Sequence, residues 1–505
     1  MALPRSKPRA IPLSGLTLNA EDDTPLHRQL CDRLREAILS GTLRAGTRLP
    51  GTRTLATELG ISRNTVVNAF EQLLAEGYVT GKIGSGTYVA CKLPDTLLQV
   101  GNVSAPPKLN DPQGRNLSRR GRMVASAYIC EPHDHGPPSA FRLGVPAVSE
   151  FPIALWSRLV ARYWRQSPAE LLSYGSSAGY YPLREAIASY VGPARGVRCT
   201  PQQVIIVSGS QQGVDLAARL LLDPGDSVWV ETPGYRGARA ALQGAGARPI
   251  PVPVDDQGLV VELGQQREPY ARLAYVSPSH QYPTGAVMSL PRRLQLLEWA
   301  DQADAWVLED DYDSEYRYSG RPISALQGLD RSERVIYIGT FSKVLLPTLR
   351  LGYLIVPPDM AGAFANARKI ADIHSPLVDQ AVLTDFINEG HFSHHLRRMR
   401  TLYAERQRVL LEAARQELAG VLTINHNETG MHVVAWLPAG VSDQAVCEYL
   451  LLHGIYTRAL SSDCLEPIPR GGLLLGYAAL TPAQIWAGVR RMREALAACP
   501  ALQAG

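Results

Sequence analysis

Gly339-Thr340-Phe341-Ser342-Lys343, followed closely by Leu349-Arg350-Leu351-Gly352-Tyr353, is the stretch on which the reading of this chain turns. The apolar run Val335 to Gly339 reads as a buried strand. Lys343 therefore stands just past a strand end, with hydroxyls before it and Arg350 seven residues later. That set suits an imine between Lys343 and a phosphorylated aldehyde, with Thr340, Ser342 and Arg350 binding the phosphate dianion. A surface lysine near any strand end would look alike, so the rest of the chain has to support the assignment.

Three other segments do. Ser208-Gly209-Ser210-Gln211-Gln212-Gly213 links the apolar run 204–208 to a helix over 211–222. Backbone N–H groups at such a turn cradle a phosphate, which nominates Ser210 and Gln211. Trp306-Val307-Leu308-Glu309-Asp310-Asp311-Tyr312 puts carboxylates and a phenol at the end of an apolar strand. A carboxylate facing a pyridine nitrogen keeps it protonated and the ring electron-poor. Asp310 is assigned that role with Asp311 as its competitor, and Tyr312 is placed to hydrogen-bond the ring's 3-oxygen. Tyr235, in Pro233-Gly234-Tyr235 after the run 227–231, would stack on the ring face.

At 505 residues the chain exceeds the size of one hydrophobic core, so two or more domains are expected. It is 45% hydrophobic with a mean hydropathy of -0.09, and it has no run of about 18 apolar residues, which excludes a membrane span. The basic first twenty residues lack the apolar core of a signal peptide. Seven scattered cysteines without a CxxC pair argue against a disulfide framework or zinc site and for a cytoplasmic location. Residues 1–92 hold 12 Lys+Arg against 8 Asp+Glu, which accounts for the whole net charge of +4. A polyanion partner is therefore expected at the N-terminal module.

That module, assigned to 24–91, reads as three helices and a hairpin. Leu26, Leu30, Leu34 and Ile38 recur at helical spacing, a second helix spans 52–59, and a third spans 62–76 with Ser62 as its cap. Tyr78-Val79 and Thr87-Tyr88-Val89 flank a glycine-rich wing tip. The second and third helices form a helix-turn-helix whose recognition helix presents Ser62, Arg63, Asn64 and Thr65 to base edges. Arg53 is placed to hold a phosphate, and Lys82, Ser85 and Gly86 on the wing are placed for the neighbouring DNA backbone or minor groove. A winged helix used only for protein contacts is the alternative. Residues 92–138, with Pro-rich and Arg-rich patches and no sustained period, read as a linker. From 139 to 500, helices alternate with β-rich runs, which argues for a largely parallel α/β sheet followed by a small α+β lobe.

The first module resembles the GntR-type winged helix through Leu49-Pro50, Thr52-Arg53, Leu59-Gly60, Ser62-Arg63-Asn64-Thr65-Val66, Glu76-Gly77-Tyr78 and Gly84-Ser85-Gly86-Thr87. Gly51 departs from it where the family has a capping serine. The second resembles the fold-type I pyridoxal-phosphate enzymes of the aspartate aminotransferase group: phosphate turn, stacking aromatic, Pro-Thr-Gly, Asp-x-Tyr and Ser-Lys occur in the family's order. The resemblance implies pyridoxal 5'-phosphate as cofactor. It also implies that Tyr174 reaches the partner subunit's phosphate, and hence a homodimer. Two departures stand out. The family's Asn-Pro-Thr-Gly appears as His280-Gln281-Tyr282-Pro283-Thr284-Gly285, and the strand Gly472-Leu473-Leu474-Leu475-Gly476 lacks the arginine that holds a substrate carboxylate. Arg458 or Arg470 could substitute.

The whole order resembles the MocR/GabR regulators, in which an amino compound or pyridoxal phosphate engages the cofactor domain and changes binding to double-stranded operator DNA. Two alternatives stay open: an aminotransferase with an accessory DNA-binding arm, and a regulator that keeps the fold without the cofactor.

Overall fold

Leu30, Cys31, Leu34 and Ile38 lie along one stripe of the first helix, α1 (Leu26–Leu39), and bury it against a third helix. The computed structural model describes residues 18–19, 22, 24–82, 86–91, 117–127, 140–166, 168–320 and 323–503, which divide into two units between Asn116 and Leu117. In the first unit α2 (Thr52–Leu59) starts at Gly51 without a side-chain cap and stops at Gly60 in the left-handed region. The missing capping oxygen expected at Gly51 is thus missing. Helix α3 (Arg63–Ala75) is capped by Ser62, whose Oγ accepts from the Thr65 N–H at 3.1 Å. Its far end is tied to α1 by Arg35 Nη2 and Glu76 Oε2 at 2.6 Å. Strands β1 (Val79–Lys82) and β2 (Gly86–Val89) pair antiparallel to form the wing.

The second unit opens with a correction. The stretch read as unstructured linker contains a two-turn helix, α4 (Arg119–Ser126), capped by Ser118. It packs on α7 (Arg236–Gly244), and Arg120 Nε donates to the Gly244 carbonyl at 2.6 Å. Its sequence, RRGRMVAS, carries no apolar period, because one polar contact and the side of Val124 hold it in place.

The main sheet contains β3 (Val204–Val207), β4 (Ser227–Thr232), β5 (Arg248–Asp255), β6 (Gly258–Leu259), β7 (Leu273–Val276), β8 (Trp306–Asp311), β9 (Val335–Thr340) and β10 (Gly352–Ile355). Their order is β3-β10-β9-β8-β7-β4-β5-β6. Pairings among β4, β5, β7, β8 and β9 are parallel, while β10 runs antiparallel to both neighbours. Every expected strand is present, but β5 escaped the reading because prolines occupy 249, 251 and 253. Proline cannot donate to a ladder. At alternate positions, the three missing N–H groups all face away from β4, whose bonds use the residues between them.

Apolar strands such as Val204–Val207 and Leu273–Val276 are buried throughout, as a sheet covered on both faces requires. The small lobe is a four-stranded antiparallel sheet, β11 (Thr423–Ile424), β12 (His432–Trp436), β14 (Gly472–Gly476) and β13 (Arg458–Ala459), in that spatial order. No described helix is long and apolar enough to cross a membrane.

Candidate cofactor site and nucleic-acid interface

Five loops leave the carboxyl ends of β3, β4, β7, β8 and β9, where open α/β sheets hold their ligands. Lys343, two residues beyond Phe341 at the β9 end, is half-buried, and its Nζ donates to the Gly144 carbonyl at 2.9 Å. Gly144 has φ +67°, and a Cβ there would lie 2.6 Å from Nζ, so the close approach of this loop depends on glycine.

The corner expected to take a phosphate forms around Gly209 (φ +106°), which precedes α6 (Ser210–Leu221). The Arg350 guanidinium stands over Gly209, with Nη2 3.3 Å from where a Cβ would be. Arg350 itself holds φ +48°, a strained conformation for a residue with a side chain and one found at ligand clamps. The first-turn N–H groups of α6 at Ser210 and Gln211 face the same corner without partners from their own helix. The Gln211 side chain is engaged elsewhere: Nε2 donates to the Gly237 carbonyl, and Oε1 accepts from the Tyr235 hydroxyl at 3.1 Å. On the other side Thr340 Oγ1 accepts from the Ser342 N–H, while Ser342 Oγ is buried without a hydrogen-bond partner.

Strand alternation separates the three acids of β8. Glu309 and Asp311 point to one face and Asp310 to the other. Asp311 is closed off by Arg195 Nε at 2.7 Å, from α5 (Tyr181–Arg195), and by the Tyr337 hydroxyl at 2.7 Å. Glu309 accepts from the N–H groups of Leu326 and Gln327. Asp310 accepts from the Tyr275 hydroxyl through Oδ2 at 2.5 Å, and its Oδ1 is buried with no partner. Burial pushes the Asp310 carboxyl up to about 7, against the pull of the Tyr275 hydrogen bond. Each of the two competitors keeps a buried Oδ1 without a hydrogen-bond partner, but Asp311 belongs to a buried ion pair with Arg195, whereas Asp310, on the opposite face, feels the charge of Lys343.

An aromatic and imidazole wall was not foreseen. The Tyr235 ring meets Tyr282 edge-on at 5.9 Å, and Tyr282 meets Tyr312 at 6.2 Å. The Tyr312 hydroxyl lies 3.0 Å from His280 Nδ1, which is 2.9 Å from Asp313 Oδ1. His432 sits behind, kept neutral by burial that lowers it to about 3. Tyr282 also accepts from Arg458 Nη1 at 3.1 Å. Arg470, also in the small lobe, is instead engaged by the Leu437 carbonyl and lies over Trp436. The departure from the Asn-Pro-Thr-Gly pattern was the one signal that could have pointed to His280 and Tyr282. Tyr174 is 82% exposed, with its ring near His374.

On the first unit Arg53, Ser62, Arg63 and Asn64 are exposed and Thr65 is half-buried. Among the described residues neither Arg53 nor Arg63 is paired with a carboxylate. Gly86 (φ +110°) begins β2, with the Arg48 side chain packed against it, an arginine the sequence reading passed over. Ser85 lies outside the described residues. The Lys82 backbone pairs with Gly86.

Residues 154–492 match the model for aminotransferase class I and II, and residues 26–89 match that for bacterial regulatory proteins of the gntR family. The probable rhizopine catabolism regulatory protein MocR of Rhizobium meliloti is 43% identical over 488 residues, 96% of each chain. The chain belongs to the MocR-type regulators. Among others of similar sequence, the pyridoxine biosynthesis transcriptional regulator PdxR of Corynebacterium glutamicum is 33% identical, covering 78% of this chain and 80% of its own. A solved structure, the α-aminoadipate aminotransferase LysN of Thermus thermophilus complexed with N-(5'-phosphopyridoxyl)-L-leucine, is 30% identical. It covers 76% of this chain and 96% of its own, with a TM-score of 0.67. This MocR-type regulator therefore joins a DNA-binding gntR module to an aminotransferase fold, and that fold implies dependence on pyridoxal phosphate. The residues fit the group. Asp310 Oδ1 and Ser342 Oγ are buried polar atoms that lack partners, and Arg350 arches over a glycine that leaves room beneath it.

Proposed function

We propose that this MocR-type regulator holds pyridoxal 5'-phosphate at Lys343 and senses an amino compound, or the cofactor itself, thereby changing how its winged helix engages operator DNA. The observation that carries the reading is the convergence of Lys343, the open Oδ1 of Asp310, and Arg350 over Gly209 at neighbouring strand ends. The bound cofactor would supply an electrophilic carbon attached to an electron-poor ring. The chain's own residues do the rest. Arg350, Thr340, Ser342 and the α6 N–H groups hold the phosphate, and Asp310 holds a proton at the ring nitrogen. Tyr235 covers a ring face, and Tyr312 with His280 lines the 3-oxygen side. Lys343 offers its amine from a position already fixed by Gly144. Tyr174, exposed on one protomer, would reach the phosphate of a partner, making the working form a homodimer with two winged helices.

Sensing requires that the effector bind the DNA-competent and DNA-incompetent forms differently. Helix α4 is suited to relay this, since α7, on which it docks, begins directly after Tyr235. Catalytic turnover is the rival activity, and the sequence of β14, Gly472–Gly476, counts against it, because it offers no guanidinium to a substrate carboxylate. The test titrates the reconstituted protein with a panel of amino compounds while following cofactor absorbance and operator affinity together. Coincident changes support sensing. Repeated turnover with keto acids, at unchanged DNA affinity, would replace it with catalysis.

The DNA side carries its own expectation. Arg63, in the first turn of the recognition helix, should read guanine, and one bidentate pair discriminates by about 1–3 kcal/mol. Arg63→Ala should therefore weaken operator binding far more than binding to scrambled DNA. Arg53→Ala should weaken both alike and flatten the log–log salt slope by about 0.9 for its one phosphate. Isotherms at several salt concentrations check this. Equal losses on both DNAs for Arg63→Ala would reassign it to the backbone.

A further inference from the structure

Antiparallel register sets Arg458 of β13 directly opposite Leu474 of β14, so their side chains stand on the same sheet face. Leu474 packs there with Val434, Leu460 and Leu143. Arg458 lines a cavity of about 340 Å³ on that face together with Arg142, Leu143, Glu448, Thr457 and Ser462. The segment that supplies Arg142 and Leu143 continues to Gly144, the acceptor for Lys343. Arg458 Nη1 donates to the Tyr282 hydroxyl at 3.1 Å, and that hydroxyl donates to Asp463 Oδ2 at 3.4 Å. Asp463, fully buried, also pairs with Arg236 Nε at 3.2 Å at the start of α7. A buried carboxylate of the chain's own thus sits where two guanidiniums and a phenol converge, next to the ring wall formed by Tyr235, Tyr282 and Tyr312.

We infer that Arg458 and Tyr282 form the receptor for an acidic group, carboxylate or sulfonate, on the amino effector, which binds in competition with Asp463. β14 carries no guanidinium, and Arg458 supplies one from the neighbouring strand, opposite Leu474. The cavity of about 340 Å³ lies beside Arg458. Its lining holds two arginines against one glutamate, so it favours an anion. Because Asp463 also holds Arg236, occupancy would be felt at α7 and at the docked α4. This inference rests on the proposed cofactor site, and its test keeps the two apart.

Matched pairs serve as probes: 4-aminobutyrate against butylamine, and 3-aminopropanesulfonate against propylamine, titrated into the cofactor-loaded protein by absorbance. Wild type should respond to the acid-bearing member at concentrations at least about tenfold lower, as a charge-assisted contact predicts. Arg458→Gln should erase that preference while leaving the amines unchanged, and Arg458→Lys should restore part of it. Asp463→Asn should tighten the acids by removing their competitor. Equal response to both members in wild type, or a preference that survives Arg458→Gln, overturns the inference. Borohydride reduction beforehand separates the failures. No adduct at Lys343 sinks the cofactor reading, whereas an adduct with no acid preference sinks the anion receptor alone.

Discussion

The Lys343→Ala protein is expected to fold normally and to carry no borohydride-reducible cofactor, a complete loss rather than a graded one. The amine must reach the aldehyde unprotonated, and Lys343 is the lysine placed at the strand-end convergence. Its contribution to the fold is small by comparison, since the hydrogen bond to the Gly144 carbonyl is worth about 1 kcal/mol. Circular dichroism should therefore match wild type, while mass spectrometry after reduction shows no added cofactor mass. Operator binding should persist but stop responding to amino compounds. A reducible adduct on another lysine would overturn the assignment.

The two aspartates at the end of β8 should fail in opposite ways. Asp311→Asn leaves Arg195, 6% exposed, without its counter-charge, and breaking a buried pair costs about 3–5 kcal/mol. Its effect should appear as a lowered denaturation midpoint, with or without cofactor. Asp310→Asn removes no ion pair and should unfold at nearly the wild-type midpoint. An amide cannot hold the ring-nitrogen proton as a carboxylate does, so this variant should show a shifted cofactor spectrum and a weakened response to amines. A wild-type spectrum for Asp310→Asn, with an altered one for a stably folded Asp311→Asn, would reverse the two roles.

What the sequence disclosed follows from how local each feature is. Strand-end motifs such as Ser342-Lys343 and Ser208-Gly209-Ser210 are written contiguously, so the loops of the proposed cofactor site could be read off one by one. The same holds for Ser62 capping α3. The choice between Asp310 and Asp311 could not be made from adjacent letters, because it depends on Arg195 arriving from a helix more than a hundred residues earlier. His280, Tyr282 and Asp463 were hidden for the same reason: their partners come from other loops and from the small lobe. Helix α4 was missed because a polar sequence docks through a backbone carbonyl, and β5 because prolines are ordinarily read as breakers.

Strand β3 has one neighbour in the sheet, β10, and Val207 pairs with Gly352 roughly 145 residues later in the chain. A ribosome adding about 5–20 residues per second delivers that partner roughly 7–30 s after β3 has emerged. The phosphate turn at Gly209 has no completed strand beneath it during that interval. The winged helix has its own core, from Leu30 to Val89, available long before. During synthesis, the DNA-binding module can therefore be in place while the aminotransferase fold is still being assembled.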